Sequence, residues 1–289
     1  MKCVNINDCE IRISLSASCV QFMYCLFSSI TVASSHGGAI LFESTGSINC
    51  YRSTFYNISV GDSYNGGSIY STGISTNSSF CCFIRSRAAI GGAVNIAGSN
   101  YFEYNSMSLC YSSNQDNLRI SNGFHFQQFL NSTYNSAKGD APGFELYQTK
   151  GTNINYIHIH SNAGSGALTL WTVTSGNSDI NNVNIVNCSA TAGLIYLSNT
   201  WTMRKMNFFG NTGSAFHTGA SPYILLIECS FDISVSSQAY LSTTLCSFLT
   251  TPIPFTLSGF QCYEQRLITN KTPFSSLSYP YFLFNIMIL

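Results

Sequence analysis

Charged residues are scarce in this chain, with 12 basic and 12 acidic side chains making up 8% of 289 residues. A formal net charge of zero provides no field to attract nucleic acid or an anionic membrane surface. Apolar residues with a helical period are also missing, as is any Cys-x-x-Cys pair, which argues against an α-helical fold and a zinc ribbon. We therefore expect no nucleic-acid partner, no cofactor and no metal site.

Hydrophobic residues nevertheless form 45% of the chain and aromatic residues 14%, enough to build a core. Among twelve cysteines, four recur in a Cys-x-Phe pattern that begins at Cys25, Cys81, Cys229 and Cys246. Residues i and i+2 share one face of a strand, so each Cys and its Phe are expected to point into the interior. Free core cysteines and scattered disulfides both fit this pattern, and the redox compartment stays open.

Signals for export are weak in the sequence. Acidic residues precede the first apolar run at 19–32, which contains polar residues, so we expect no cleavable signal peptide. The apolar end at 281–289 is shorter than the roughly 20 residues that cross a bilayer, and is either a closing strand or the start of a longer segment. Possible glycosylation sites follow the Asn-x-Ser/Thr rule and lie at Asn57, Asn77, Asn131, Asn187 and Asn270.

A pair of small residues followed by an alternating apolar strand recurs along most of the chain. Clear copies begin at Gly37-Gly38, Gly66-Gly67 and Gly91-Gly92, and weaker copies follow. The residue two places after each small pair is apolar in all eight copies: Ile40, Ile69, Val94, Phe124, Phe144, Leu168, Ile195 and Phe216. The steps between these residues are 29, 25, 30, 20, 24, 27 and 21, a spacing typical of stacked repeats.

Each repeat also contains segments rich in Asn, Ser and aromatics that alternate with period two, as half-buried strands do. Such a unit predicts an all-β fold, a right-handed parallel β-helix solenoid of about nine turns with an irregular carboxyl-terminal cap. Glycine would permit tight corners, and asparagine would support turns and ladders between them. The leucine spacing of a horseshoe is absent, and a propeller blade needs a longer period. We assign 1–238 to the repeat domain and 239–289, where prolines replace the Gly pairs, to a cap, degraded final turns or a truncated anchor region.

The repeat motifs resemble those of a known group of surface proteins. Gly-Gly-Ala-Ile at 37–40, with Phe-x-x-Asn at 102–105 and 208–211, is similar to the repeats of chlamydial polymorphic outer-membrane proteins and trichomonad surface β-helix proteins. The resemblance covers about residues 19–234. It implies a pectin-lyase-like β-helix located at the cell surface or outside the cell, with an adhesive role and a host or cell-surface protein or glycan as partner.

Outward positions of the repeated strand are expected to line up when the turns stack. We predict an exposed ligand-binding row there, with Tyr70, Asn95, His125, Glu145 and Tyr196 as its candidate residues. The same row would contain Leu41, Thr169 and His217. His125 and Glu145 are expected on adjacent turns, where a solvated pair is the simplest interpretation. His158 and His160 share a strand face that could hold a metal, but no third ligand is evident.

Enzyme chemistry finds little support in these residues. Polysaccharide hydrolases of this shape need clustered carboxylates, whereas 12 acidic residues are spread over the whole chain. We therefore expect no enzyme and no catalytic residues, and favour a non-enzymatic surface repeat protein for adhesion or host-surface interaction. The alternative is a carbohydrate-binding or polysaccharide-processing β-helix protein, followed by an intracellular scaffold or a non-functional fragment.

Overall fold

The protein is described by a computed structural model that covers residues 4–7, 11–15, 17–139, 142–149, 151–172, 178–218, 223–233, 235 and 240–248. Every regular element among these residues is a β-strand, which confirms the all-β prediction. The same residues include no helical segment with the length and apolar character that a membrane span requires.

Along the chain, the strands follow one another around the successive turns of a solenoid. The first turns contain β1 (Val4–Asn7), β2 (Ile13–Leu15), β3 (Cys19–Met23), β4 (Leu26–Ser28), β5 (Thr31–Val32), β6 (Ile40–Phe42), β7 (Ser47–Tyr51), β8 (Thr54–Tyr56), β9 (Ser59–Val60), β10 (Ile69–Ser71), β11 (Ser75–Ser79), β12 (Cys82–Ile84) and β13 (Arg87–Ala88). The central turns contain β14 (Val94–Ala97), β15 (Ser99–Glu103), β16 (Ser106–Ser108), β17 (Tyr111–Ser112), β18 (Leu118–Ser121), β19 (Phe124–Thr133), β20 (Ser136–Ala137), β21 (Phe144–Thr149), β22 (Gly151–His160) and β23 (Ala163–Gly164). The last turns contain β24 (Leu168–Thr172), β25 (Ser178–Val186), β26 (Ser189–Ala190), β27 (Ile195–Leu197), β28 (Trp201–Phe209), β29 (Phe216–Thr218), β30 (Tyr223–Ile227), β31 (Ser230–Phe231), β32 (Tyr240–Thr244) and β33 (Ser247–Phe248).

Strands of successive turns pair in parallel and form three sheets along the solenoid. The nine-stranded sheet runs β2-β6-β10-β14-β18-β21-β24-β27-β29, and the seven-stranded sheet runs from β5 to β26. The third sheet contains 17 strands, because most turns contribute two consecutive strands to it. One strand per turn in each ladder is the arrangement of a parallel β-solenoid, as the repeat spacing predicted.

Inward residues of the nine-stranded sheet form a continuous apolar column. Ile40, Ile69 and Val94 pair in register and are fully buried, as the alternation predicted. The column continues through Leu118, Phe144, Leu168, Ile195 and Phe216. Phe124, which was predicted to occupy this column in the fourth copy, begins β19 in the 17-stranded sheet instead and is 64% exposed. That prediction was wrong, and Leu118 takes its place.

The corner that each turn of the solenoid makes within the 17-stranded sheet is formed by a residue with a left-handed backbone. At this corner each turn has one residue with φ near +55°, which lies between two strands of the 17-stranded sheet or, in β19, β22, β25 and β28, within one long strand: Tyr24, Arg52, Phe80, Tyr104, Phe129, Tyr156, Asn182, Lys205, Glu228 and Leu245. A glycine has the left-handed backbone at another corner, before β10: the φ of Gly66 is +68°, and a Cβ there would overlap the carbonyl of Ile69. A left-handed backbone is unfavourable for residues with a Cβ, so stacking must hold each corner in place.

Hydrogen bonds between turns support these corners. The amide of Cys81, just after a corner, donates to Asn105 Oδ1 of the next turn at 2.9 Å. At the following corner, where Asn187 is left-handed, the amide of Cys188 donates to Asn211 Oδ1 at 2.8 Å. Outside the core, Asn77 Nδ2 donates to Asn49 Oδ1 at 2.7 Å. The predicted asparagine ladders are therefore present, both inside the coil and on its surface.

Cysteines occupy the core as the Cys-x-Phe pattern predicted. Cys25, Cys81 and Cys229 are buried, and each donates its thiol to the carbonyl two residues before it. The fourth copy departs from the prediction, since Cys246 is free but half-exposed and Phe248 is 40% exposed. Both alternatives for cysteine occur, since Cys19 and Cys82 are disulfide-bonded.

Parallel pairing continues into the region where a cap was predicted. Strand β32 pairs in parallel register with β30, and β33 pairs with β31, so the solenoid continues to Phe248 in the described residues. The rest of the predicted cap, and the sequon at Asn270, lie outside the described residues.

Candidate functional site

Outward residues of the nine-stranded sheet form one row, here called the outer row. Its register runs through Ser14, Leu41, Tyr70, Asn95, Arg119, Glu145, Thr169, Tyr196 and His217. Four of the five predicted ligand residues, Tyr70, Asn95, Glu145 and Tyr196, therefore stand in the same row. The parallel register produces this alignment, because equivalent positions on successive strands repeat every strand spacing.

His125 does not belong to the outer row. It lies on β19, pairs in register with Asn100, and is 3% exposed in the core of the 17-stranded sheet. Its Nδ1 accepts a hydrogen bond from Asn100 Nδ2, and Gln127 Nε2 donates to Asn100 Oδ1 at 2.6 Å. Burial lowers the pKa of His125 to about 4. The expectation of a solvated His125–Glu145 pair was wrong.

Arg119 occupies the position that had been assigned to His125, and it pairs with Glu145 on the next turn. Arg119 Nε lies 3.3 Å from Glu145 Oε2, and the two side chains are only 16% and 5% exposed. The guanidinium also lies over the ring of Tyr147, with its Cζ 4.8 Å from the ring centroid. Glu145 is therefore a buried partner of an arginine, not an exposed carboxylate as predicted.

Sequence spacing contained a signal that could have located Arg119. With Phe124 in the column, the steps around it were 30 and 20 residues, whereas Leu118 gives steps of 24 and 26. The Gly pair is absent before Leu118, because Gln115 and Asp116 are aligned with Gly91 and Gly92. Asn117, aligned with Ala93, donates Nδ2 to Pro142 O at 2.9 Å and so ties this corner to the next turn.

A surface pocket of about 270 Å³ opens on the outer row. Tyr70, Asn95 and Arg119 contribute three consecutive positions of the row to its lining. The remaining lining residues come from the same strands and the adjoining corner: Asn65, Ser71, Thr72, Ile90, Ala97 and Ser121. Amide, hydroxyl and guanidinium groups thus outnumber apolar side chains in the lining, although the pocket surface offers polar and apolar contacts in similar measure.

The wall of this pocket at Tyr70 is held by a histidine from the preceding turn. His36 stacks on Tyr70 with ring centroids 4.5 Å apart, and its Nδ1 accepts the amide hydrogen of Asn65 at 2.9 Å. Burial, followed by the charge of Glu43, raises the pKa of the Tyr70 phenol. Tyr70 is therefore a protonated, oriented hydroxyl at neutral pH, which can both donate and accept a hydrogen bond.

Breaking the ion pair in the outer row is expected to destabilise the fold. Glu145→Gln should lower the free energy of unfolding by about 2 kcal/mol, because the guanidinium of Arg119 would lose its buried countercharge. Arg119→Gln should have a similar cost. Urea unfolding of both single variants and the double variant checks this, and the double variant should be less destabilised than the sum of the singles. Additive losses would contradict a direct interaction between the two side chains.

His158 and His160 lie on one face of β22, as predicted, with ring centroids 5.8 Å apart. Burial, and then the charge of His160, lower the pKa of His158 to about 4. Within the described residues, no group of three or more His, Cys, Asp and Glu side chains is placed to hold a metal ion. The pair therefore has no third ligand of these types in the described part of the chain.

The four described sequons differ in accessibility. Asn57 and Asn187 are exposed at equivalent left-handed corners, whereas Asn77 is half-buried and Asn131 is buried. A glycan needs solvent around its asparagine, so Asn57 and Asn187 are the sites that suit a modified, folded protein. Their glycosylation stays a prediction.

Comparison with known proteins gave no relative: no family model, no curated protein and no solved structure matches this chain.

Proposed function

We propose that this protein is a non-enzymatic interaction module that acts at a cell surface or outside the cell and binds its partner on the outer row. The observation that carries the proposal is the pocket at Tyr70, Asn95 and Arg119, which lies on the row where the sequence pattern predicted ligand contacts. Support for the location comes from the resemblance of the Gly-Gly-Ala-Ile and Phe-x-x-Asn repeats to surface proteins.

The chemistry of the pocket favours a glycan as the partner. Arg119 is neutralised by Glu145, so the lining offers donors and acceptors without net charge. Sugar hydroxyls both donate and accept hydrogen bonds, and amides such as Asn95 and Asn65 do the same. A strongly anionic or cationic partner would meet no countercharge here, whereas a neutral glycan would find matched polar groups around one aromatic ring, that of Tyr70.

Polysaccharide processing is a second candidate, suggested by the position of Glu145 beside the pocket. An inverting or retaining hydrolase needs two carboxyl groups facing the scissile bond. Glu145 is the one carboxylate in the outer row, and its pairing with Arg119 suits a structural anchor better than a catalytic acid. Binding without turnover is therefore the function that the geometry supports best.

A glycan array with the full chain tests the proposed function. Tyr70→Ala and Asn95→Ala are expected to weaken binding of a selected glycan about tenfold, because each removes a pocket hydrogen bond or ring contact. Arg204→Ala is the matched control, since Arg204 is exposed on the 17-stranded sheet, away from the pocket.

Four outcomes have distinct meanings. Loss of binding in the pocket variants alone supports the proposal, and an equal loss in Arg204→Ala contradicts the site. A wild-type chain that binds no glycan contradicts the partner class. Release of new reducing ends from the bound polysaccharide, abolished in Glu145→Ala, would favour the processing alternative.

A further inference from the structure

Two free cysteines lie side by side in the last two described turns. Cys229 directly precedes β31 and Cys246 directly precedes β33, and these strands pair in register from Ser230↔Ser247 onward. The amide of Ser247 donates to the carbonyl of Cys229 at 2.9 Å, so the two corners are joined through the backbone. The amide of Cys229 in turn donates to Sγ of Cys246 at 3.5 Å, which places this sulfur next to Cys229.

At the equivalent corner of the other turns that the structure describes, cysteines do not lie on neighbouring turns. Cys25 and Cys81 occupy the same corner two turns apart, with Ser53 between them, and Asn105 follows. Neighbouring turns of a sheet are about 4.8 Å apart, which falls inside the Cα separation of about 4.4–6.8 Å that a disulfide requires. Cys229 and Cys246 therefore meet the distance condition without a change in the backbone.

The two thiols differ in their access to solvent. Cys229 is fully buried, and burial raises its pKa to about 12. Cys246 is half-exposed in a turn whose other side chains, Leu245 and Phe248, are 80% and 40% exposed. An external reagent would therefore reach Cys246 first, and Cys229 would act second. Oxidation is compatible with this chain, because Cys19 and Cys82 are already disulfide-bonded.

We propose that Cys229 and Cys246 are a reversible redox pair that forms a disulfide by exchange with a small-molecule disulfide. The thiolate of Cys246 attacks one sulfur of the reagent, the reagent's S–S bond breaks, and the first thiol leaves with a proton. Cys229 then loses its proton and attacks Sγ of Cys246, which releases the second thiol. The two cysteines are oxidised by two electrons and the reagent is reduced by the same two electrons.

The new bond would fasten the turn of β32 and β33 to the turn before it. Among the described residues, these strands end the ladder and pair with a neighbouring turn on one side only. A covalent link between the turns would slow their separation and so protect the sheet edge behind them. Reduction would reverse this protection.

Peptide mapping of the full chain tests the proposal, with oxidised glutathione as the reagent. After the reduced protein is incubated with oxidised glutathione, mapping should yield a pair of peptides joined through Cys229 and Cys246. The joined pair should be lighter than the two free peptides together by two hydrogens, and dithiothreitol should restore the free peptides. Amide exchange at residues 241–244 should slow at least about tenfold on oxidation. Cys229→Ser should keep one glutathione on Cys246, and Cys246→Ser should leave Cys229 unmodified.

Cys188→Ser is the matched control, because Cys188 is a buried corner cysteine whose neighbour on the next turn is Asn211. It should leave the cross-link unchanged. A wild-type chain that retains glutathione on Cys246, or that links Cys246 to a cysteine other than Cys229, would overturn the proposal. The mapping on the wild-type chain decides this even where a serine variant fails to fold.

Discussion

Val94→Asp is expected to lower the free energy of unfolding by about 5 kcal/mol. Val94 is fully buried on β14 and pairs in register with Ile69 and Leu118, so a carboxylate there would face an apolar interior without a partner. In a stacked repeat each turn contacts its neighbours, and opening is therefore expected to spread to the adjoining turns. Urea unfolding followed by circular dichroism, together with amide exchange at Ile69 and Leu118, measures both effects.

The same strand offers a matched control. Asn95→Asp introduces the same carboxylate one residue later, on the half-buried outer face, and should change the free energy of unfolding by no more than about 0.5 kcal/mol. Equal losses in the two variants would show that the inward and outward faces of β14 had been assigned wrongly, as would an unchanged stability in Val94→Asp.

Acidification is expected to destabilise the protein through His125. Its pKa in the folded protein is about 4, below the ordinary value of 6.5, so the unfolded chain holds more protons between these values. Stability should therefore fall as the pH falls from about 6.5 to about 4, by about 3 kcal/mol from this residue, and then level off. Protonation would also place a hydrogen on Nδ1, which accepts from Asn100 Nδ2 in the folded state.

His125→Gln isolates this contribution. Glutamine can accept the hydrogen bond from Asn100 without titrating, so the variant should lose part of its stability near pH 7 and be less sensitive to acid. Urea unfolding at several pH values between 7 and 4 gives the difference between the two proteins. His158→Gln serves as a comparison, since burial lowers the pKa of His158 in the same direction. A His125→Gln variant with the acid sensitivity of the wild type would contradict the role of His125.

The turn that contains β18 shows why the candidate site could be predicted only in part. The Gly-pair rule placed Tyr70, Asn95, Glu145 and Tyr196 correctly, because each follows an apolar residue that starts a strand of the nine-stranded sheet. The rule failed where Gln115 and Asp116 stand at the positions of the Gly pair, and so it missed Arg119 and put His125 outside instead of inside. Asn117 ties this corner through side-chain hydrogen bonds to the next turn, and the sequence does not display such contacts.

The 17-stranded sheet could also be predicted from the sequence only in part. Alternation of apolar and polar residues predicted the inward positions of its strands, for example Phe208 and Phe231, which stack at 4.6 Å. The single left-handed residue that each turn has at the corner of this sheet was not predicted, since Phe80, Tyr104 and Phe129 are poor markers of positive φ. Stacking of these rings at 4.8 and 4.4 Å accompanies the corner, and it arises only when the turns are in register.

The sequence by itself determined the all-β class, the stacking of turns and the inward face of most strands, because period-two alternation and repeat spacing are local properties of the chain. The tertiary structure alone decided which side chains meet between turns: Arg119 with Glu145, His125 with Asn100, and Cys229 with Cys246. Loops of unequal length separate these partners along the chain. Their meeting is fixed by the register of parallel hydrogen bonds between turns, which forms only when the solenoid is complete.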